Sequence, residues 1–522
     1  MGSPSSYLII FSGVPLDNTY DNTFSNSAYS GNRLNFFKRI CTQWYDFDSM
    51  MWIRHDKNKI RVSTQDVGSS HANVYPSFFD NFNYLMFVNK TSAGANVSRE
   101  YYCFITDVNY INDNTVEFVF EIDVMATYYY DWSFGACYVE REHVDNDDIG
   151  NNIEPEPVGL CNDYIISGTS DHAFPGGWSI ILLWAPKEGA GTSYQTINGQ
   201  ICCCSWSKIG TDNTSIIPAV LERHEQDVCV MAYYIPTELW DEGIPVYRNT
   251  GDINQLVNLD GYRPKNKKLY TYPYSFIEAT NSRGSVKQYK WEDFNGTNQA
   301  GTKVANFKLV GSAFGTPSIL FIPTNYKNMG DTYANIDECL SLNDFGSVVM
   351  RKEGIGYWDS THEMANNIRV FSSLFNGLMG GGDGAAVGAR TLTTALAVEG
   401  ERVGQMNKAA PITGFPSSNA NLYSSIGEAG FKLKYMSVRY SVAEKIDNFF
   451  TRYGYAVNKV KIPNMYSRTL YNYIKTRECI LIDDELPAWA AKKICDIHNK
   501  GITYWHTQSL GNFTGSNPIR SS

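Results

Sequence analysis

The sequence predicts a mainly β, α+β fold, and three observations support this. Aromatic residues make up 14% of the chain, 35 Tyr among them, and aromatic and β-branched side chains fit the pleated, half-buried surface of a strand. Apolar runs of strand length recur between clusters of Gly, Pro and Asn, the spacing of sandwich or barrel domains. Clear helical periodicity is confined to a few segments after residue 360. A length of 522 residues with 43% apolar composition provides sizeable cores for about three domains of ordinary size.

The N-terminus, MGSPSSYLIIFSGVPLDNTY, lacks a basic leading region, and its apolar run is short for a signal peptide. Eleven Cys without paired spacings read as thiols rather than a disulfide framework, so synthesis in a cytoplasm is expected. The clearest local element is a hairpin, YYCFITDVNYI and TVEFVFEIDV about the turn Asn112, Asp113 and Asn114. In its second arm Val116, Phe118, Phe120, Ile122 and Val124 share one face, and Glu117, Glu121 and Asp123 share the other. The three acids are therefore candidates for a lumen or surface. Further strands are expected at 178–184, 228–235, 268–279 and 318–322, with Pro236, Pro273 and Pro323 at strand edges or ends because proline cannot donate to a ladder.

After residue 360 the period changes. Met364, Ile368, Phe371, Phe375 and Leu378 recur at steps of three and four, one stripe of an amphipathic helix. Two further helices follow. SVAEKIDNFFTRYG places Val442, Ile446, Phe449 and Tyr453 on one side, with Ser441 and Glu444 spaced as a capping box and Gly454 as the stop. LPAWAAKKICDIHNKG has Pro487 in its first turn and Gly501 just past its end. The chain thus divides into a β-rich segment 1–160, a β-rich middle 161–360, an amphipathic and Gly-rich insert 361–430, and a C-terminal segment 431–522.

Catalytic chemistry is poorly represented. No G-x-S-x-G elbow occurs, and the eight His are scattered; His143 and His498 read as surface or packed structural histidines. Asp145, Asp147 and Glu156 fall at the first, third and twelfth places of a calcium loop, but Ile149 occupies the fifth, where an oxygen ligand belongs. These three residues form a weak metal candidate, and neither a metal nor any other cofactor is expected. Cys202, Cys203 and Cys204 lack the spacing of a zinc site. Gly382 to Gly388 only approximates a dinucleotide loop. The net charge of -10 argues against a groove that grips phosphate.

The insert GLMGGGDGAAVGARTLTTALAV at 377–398 is unlike the rest of the chain. Asp383 and Arg390 would be costly in a bilayer, and Gly and Ala add little to insertion. Gly380, Gly384 and Gly388 recur every four residues, which permits close packing. Apolar flanks surround it: Phe371, Leu374, Phe375, Leu378 and Met379 before, Leu392, Leu396 and Val398 after. From the residues alone, a loop over the protein's own core and a membrane-active segment both remain open.

Several stretches are more specific than any of these motifs: VAEKIDNFFTRYGYAVNKVKIPNMYSRTLYNYIKT at 442–476, GITYWH at 501–506, GVPLDNTYDNTF at 13–24, NYLMFVN with the hairpin, and YVEREHVDNDDIGNNIEPEPVG at 138–159. In this order they resemble the tail knob, or distal tail tube, proteins of small short-tailed phages (podoviruses of the Picovirinae type) infecting Gram-positive bacteria. The resemblance covers the N-terminal third and the last ninety or so residues.

The resemblance implies a virion structural protein at the tail tip, with β-barrel-like tube domains assembled as a homohexameric ring around a channel for genome ejection. In this reading 1–160 is a tube domain completed by 431–522. The 364–425 region, with Ile368, Phe371, Leu374, Phe375, Leu378, Met379, Leu392, Leu396 and Val398, plugs the tube and then enters the host membrane. The implied partners are other copies of the chain, the proximal tail or lower collar protein, host membrane lipid, and double-stranded DNA that passes without specific binding. The resemblance implies no catalytic residue. Two other classes stay open on the sequence: a receptor-binding adhesin for cell-wall glycans, and a cell-wall hydrolase.

Overall fold

The structure, a computed structural model, describes residues 7–29, 31–47, 51–52, 58–64, 76–88, 99–129, 131–156, 164–173, 178–186, 196–197, 200–201, 205–210, 219, 223, 227–237, 240–241, 244–245, 247–281, 285–312, 318–328, 338–343, 430–483 and 486–520. The chain is mostly β and forms two compact units. The first comprises Met1–Cys161, Pro264–Lys268 and Ser441–Ser522, and the second Asn162–Arg263 and Leu269–Tyr440.

The first unit is built on a seven-stranded antiparallel sheet in the order Gln43–Phe47, Tyr7–Ser12, Phe82–Val88, Glu100–Asn112, Thr115–Ile122, Lys59–Ser63, Met51–Trp52. Both faces of this sheet are buried. Ile9, Phe11, Tyr84, Met86, Tyr102 and Phe104 belong to one core, whereas Leu8, Ile10, Leu85, Phe87, Cys103 and Phe118 belong to the other. This follows from the two-residue period of a strand, which sends neighbours to opposite faces. A strand apolar at every position, such as YLIIF, therefore needs a core on each side.

The two cores are covered differently. The first is covered by the helix Arg33–Ile40, which Asn32 caps by accepting from the Asn35 N–H at 2.9 Å, and by Ala490, Ile494 and Ile497 of the helix Ala488–Lys500. The second is closed by the sheet itself. The ring centroid of Phe79, in the short 3-10 helix Pro76–Asn81, lies 6.3 Å from that of Phe47 and 5.8 Å from that of Phe118. In a flat sheet their strands, four places apart, would be separated by about 19 Å. The sheet must curl around Phe79 to bring both within reach.

A five-stranded sheet joins the ends of the chain, in the order Asn22–Phe24, Ile502–Trp505, Tyr471–Arg477, Cys137–Glu142, Tyr455–Lys461. Asn22–Phe24 runs parallel to Ile502–Trp505 and the other pairs are antiparallel.

The second unit contains the sheet Tyr164–Ala173, Gly430–Val438, Ser275–Thr280, Val286–Lys290 and a second sheet Tyr247–Asn249, Phe307–Ser312, Ser318–Pro323, Leu340–Asn343. Phe321 stacks between Phe307 and Phe431 at 4.4 and 5.0 Å. Gly430–Val438, which the sequence grouped with the C-terminal segment, pairs here with Tyr164–Ala173.

The strands expected at 178–184, 228–235 and 318–322 are present as Trp178–Pro186, Asp227–Pro236 and Ser318–Pro323. The run expected at 268–279 is only half strand. Lys267–Tyr270 is a 3-10 turn, and Pro273, in a cis peptide bond with Tyr272, precedes the strand Ser275–Thr280. The hairpin turn is tighter than expected, since Asn112 pairs with Thr115 and leaves only Asp113 and Asn114 in the loop.

The helix Tyr440–Tyr453 also departs from expectation. It starts ahead of Ser441, and the Tyr440 N–H donates to the carboxylate of Asp260 at 2.9 Å, so Ser441 lies inside the helix and is not its cap. Its buried face is Ala443, Ile446, Asp447, Phe450 and Thr451, one residue round from the apolar stripe. Gly454 does end the helix, at φ 66°, and a Cβ there would lie 2.2 Å from the Glu142 carbonyl oxygen. Residues 361–429, including the expected amphipathic helix and the Gly-rich insert, lie outside the described residues.

Removing the ring at the centre of the curl should be costly. Phe79→Ala is expected to lower the unfolding free energy by about 3–5 kcal/mol in urea titrations. A loss below about 1 kcal/mol would show that the sheet curls without it.

Candidate functional site

The densest polar constellation in the first unit lies where Pro264–Lys268 meets the 145–156 loop and the helix Tyr440–Tyr453. Glu156 is the centre, its side chain 1% exposed. One oxygen, Oε1, accepts from Lys268 Nζ at 2.7 Å and from the Ala456 N–H at 2.7 Å, and the other accepts from the Arg141 guanidinium. Lys268 Nζ also donates to the Glu154 carbonyl at 2.8 Å, and Arg141 to the Gly454 carbonyl at 2.6 Å. Burial pushes the Lys268 ammonium below its ordinary pKa, and the adjacent Glu156 carboxylate opposes that shift.

Each remaining polar residue of the return segment has a receptor. The Lys265 and Asn266 N–H groups donate to the Asp447 carboxylate at 2.7 and 3.1 Å, and Asn266 Nδ2 donates to Asp447 and to Thr451. The Lys267 N–H donates to Asp147, which also accepts from the Tyr455 hydroxyl at 2.5 Å. These bonds account for the rotated helix face, because Asp447 and Thr451 must point inward to receive the segment.

The calcium-loop reading of Asp145, Asp147 and Glu156 is corrected by this geometry. Glu156 faces two cationic side chains, Asp147 faces a hydroxyl and an N–H, Asp145 is exposed, and Ile149 is buried. A divalent cation would meet Lys268 and Arg141 at the carboxylate it needs. Among the described residues no group of His, Cys, Asp and Glu is placed to hold a metal.

Two of the three hairpin acids, Glu117 and Asp123, are corrected too. Glu117 is 4% exposed and lies between Arg61, at 2.9 Å, and Lys59, at 3.5 Å. Burial alone would raise its pKa, but the Arg61 hydrogen bond and the two cations hold it below the ordinary value. Glu121 is engaged by Lys493 and Asn18. Asp123 is 1% exposed and caps Val124–Thr127, accepting from Met125 N, Ala126 N and the Tyr84 hydroxyl. Burial raises its pKa to about 6. Glu117 and Asp123 are buried among partners of the same fold, whereas Glu121, its side chain 36% exposed, lies at the surface of the folded chain. The candidate membrane residues Ile368, Phe371, Leu374, Phe375, Leu378, Met379, Leu392, Leu396 and Val398 lie outside the described residues.

Sequence reading missed Glu142, which is buried, paired with Lys461 and bonded to the Asn464 N–H at 3.2 Å. It also missed the bridging role of the buried histidines. His143 Nδ1 accepts from the Tyr473 N–H at 2.8 Å, so Nε2 carries the proton and donates to the Thr451 carbonyl at 2.9 Å. His498 donates from Nδ1 to the Ile494 carbonyl and accepts the Tyr504 hydroxyl at Nε2. His506 joins Ser25 to Asn472. Burial depresses their pKa values to about 3, 4 and 4 respectively. No local signal marks the bridges of His143 and His506, since their partners are far away in sequence, whereas His498 bonds within its own helix and to Tyr504 six residues on.

What this site does is hold distant segments of chain together. Comparison with known proteins gives that architecture its class. A model of the N-terminus of the caudoviral major tail protein matches residues 4–133, and one of the C-terminal domain of tail knob protein gp9 of Bacillus phage phi29 matches residues 244–518. The chain is a phage tail protein, a structural component of the virion. More narrowly, it belongs to the phi29-type tail knob protein gp9 family, whose model spans more than half of it, as the sequence resemblance implied.

It is 24% identical to tail knob protein gp9 of Bacillus phage phi29 and 22% identical to that of Bacillus phage B103, with 98% of each chain covered in both comparisons. The fold is similar to that of the bacteriophage C1 tail knob protein gp12, at TM-score 0.62 and 14% identity, covering 99% of this chain and 100% of that one.

Two outcomes are expected of the site. Glu156→Gln leaves two buried cations opposite a neutral group and should destabilise the protein by about 3–5 kcal/mol, whereas Lys267→Ala, which removes an exposed pair with Asp148, should cost less than about 1 kcal/mol. Urea unfolding of the two variants distinguishes them.

The second concerns pH. A buried neutral His confers stability that is complete above its unfolded pKa of about 6.5 and is lost as pH falls through the folded value. Asp123 acts in the opposite sense, because its raised pKa makes the folded state hold the proton more tightly as pH falls below about 6. Comparing His506→Gln with the parent isolates one histidine: between pH 6.5 and 4 the parent should lose about 2 kcal/mol more than the variant. Parallel pH profiles would contradict the neutral assignment.

Proposed function

We propose that the protein forms the distal knob and tube of the tail as a ring of six copies around a channel for genome ejection, with the 364–425 region as plug and membrane-entering segment. The carrying observation is the likeness to phage tail knob proteins along nearly the whole of both chains. The composition supports a conduit, because a net charge of -10 per copy leaves few phosphate contacts to be broken as DNA slides past. The Gly-rich, weakly apolar insert suits a segment that packs in one state and enters lipid in another. Six copies acting together supply avidity that one weak segment lacks.

In this reading the protein sits at the tail tip after synthesis in the host cytoplasm. One face of the ring meets the proximal tail or lower collar protein, and the released plug meets host lipid. Among the described residues no helix is long and apolar enough to cross a membrane; in this reading the lipid step belongs to the insert. Dye release from anionic vesicles tests this step. The full chain, once triggered, should release dye, and a 364–425 deletion should lower release at least about tenfold while its sedimentation stays that of the parent ring. Equal leakage from both proteins would remove the membrane role from the insert.

A further inference from the structure

Three thiols from separate elements converge in the first unit: Cys137 on the strand Cys137–Glu142, Cys479 in the turn after Tyr471–Arg477, and Cys495 on the helix Ala488–Lys500. The Cys479 N–H donates to Asn499 Oδ1 at 3.1 Å, and Thr476 Oγ1 donates to the same oxygen at 3.0 Å. Asn499 is four residues after Cys495, and residues four apart share a helix face, so the face carrying Cys495 is turned towards the 476–479 turn. The Gly135 N–H donates to the Ile480 carbonyl at 2.9 Å and fixes the other side of that turn. The Cys479 and Cys495 thiols are in hydrogen-bonding contact, with Cys137 close to both. Cys137 is 2% exposed, whereas Cys479 and Cys495 are half-buried, so a small reagent reaches these two first.

We propose that Cys479 and Cys495 form a reversible disulfide that staples the helix Ala488–Lys500 to the end of the strand Tyr471–Arg477 when the protein meets an oxidising medium. The oxidant is a low-molecular-weight disulfide. One protein thiol loses its proton and attacks it, the reagent S–S bond breaks, and a small thiolate leaves with a mixed disulfide formed on the protein. The second protein thiol loses its proton and attacks the protein sulfur of that mixed disulfide, expelling the second small thiol. Two protein thiols are oxidised and one small disulfide is reduced to two thiols. Burial pushes the Cys479 thiol up, so closure is slow at neutral pH and accelerates as pH rises. The cross-link restrains the helix whose Ala490, Ile494 and Ile497 cover one face of the seven-stranded sheet. The cue, passage from a reducing cytoplasm to the extracellular medium, rests on the function proposed above; the thiol chemistry does not.

The test uses the full chain incubated with oxidised glutathione at pH 8.5, followed by alkylation of remaining thiols and mass-spectrometric mapping of linked peptides. The expected result is a dominant 479–495 link and an unfolding midpoint raised by roughly 5 °C or more, both reversed by dithiothreitol. Cys479→Ser and Cys495→Ser should each abolish the link and the shift, and Cys137→Ser should leave both in place. Full alkylation of Cys479 and Cys495 after oxidation, a persistent glutathione adduct on either, or a dominant link to Cys137 would overturn the assignment. Mapping the parent protein decides the matter even if a variant fails to fold, and no outcome here bears on ring formation or vesicle leakage.

Discussion

The first unit depends on a single packing constraint, the closure of the seven-stranded sheet around Phe79. Strands such as Tyr7–Ser12 and Phe82–Val88 are apolar on both faces, so neither face can be left in water without losing roughly 1.5–3 kcal/mol per large side chain. One face recruits helices and the C-terminal strands. The other has only itself, and curling brings the Phe47 and Phe118 strands to the same ring. The rest of the unit follows from that division. The face covered from outside needs the last eighty residues of the chain, and the covering residues Tyr471, Ile474, Ile502, Tyr504 and Trp505 come from strands that pair with residues 22–24 and 137–142.

Bringing such distant segments together demands specific receptors, and those receptors are polar. Glu156 with Lys268, Asp447 with Lys265 and Asn266, and His143 with Thr451 and Tyr473 each close a gap of more than a hundred residues. Buried ion pairs are seldom strong net stabilisers, because desolvation offsets much of their attraction. Their value here is selectivity, since an apolar patch would accept the return segment in several registers, whereas Asp447 and Glu156 accept it in one. This also explains why a chain with 54 Asp and Glu residues shows so little catalytic or metal-binding geometry among its described residues. Its buried acids serve as receptors for its own lysines, arginines and N–H groups.

Local features were legible in the sequence, and long-range ones were not. The hairpin, three of the four further strands and the helix stops at Gly454 and Gly501 follow from periodicity and from glycine's tolerance of positive φ, here 66° and 104°. The failures share one cause. Apolar spacing put Val442 and Phe449 on the inner face of the helix, but Asp447 had to face inward to hold Asn266. Alternation put Glu117 and Asp123 on a wet face, but Arg61, Lys59 and Tyr84 cover them from strands far away in sequence. The acids at 145–156 looked like metal ligands because groups they serve, Lys268 and the Tyr455 hydroxyl among them, lie more than a hundred residues further on. A stripe or a spacing reports what a residue would do next to its sequence neighbours, and it says nothing about neighbours supplied by the fold. The resemblance over the N-terminal third and the last ninety or so residues succeeded where the motifs failed because it draws on many positions at once.

In the function proposed above, this chain is a wall segment of a closed conduit. Electron-microscope class averages of the purified full-length protein test this most directly. The account predicts end-on views of a six-fold annulus with an axial bore. Uniform monomers, or closed particles without a bore at micromolar protein concentration, would contradict it.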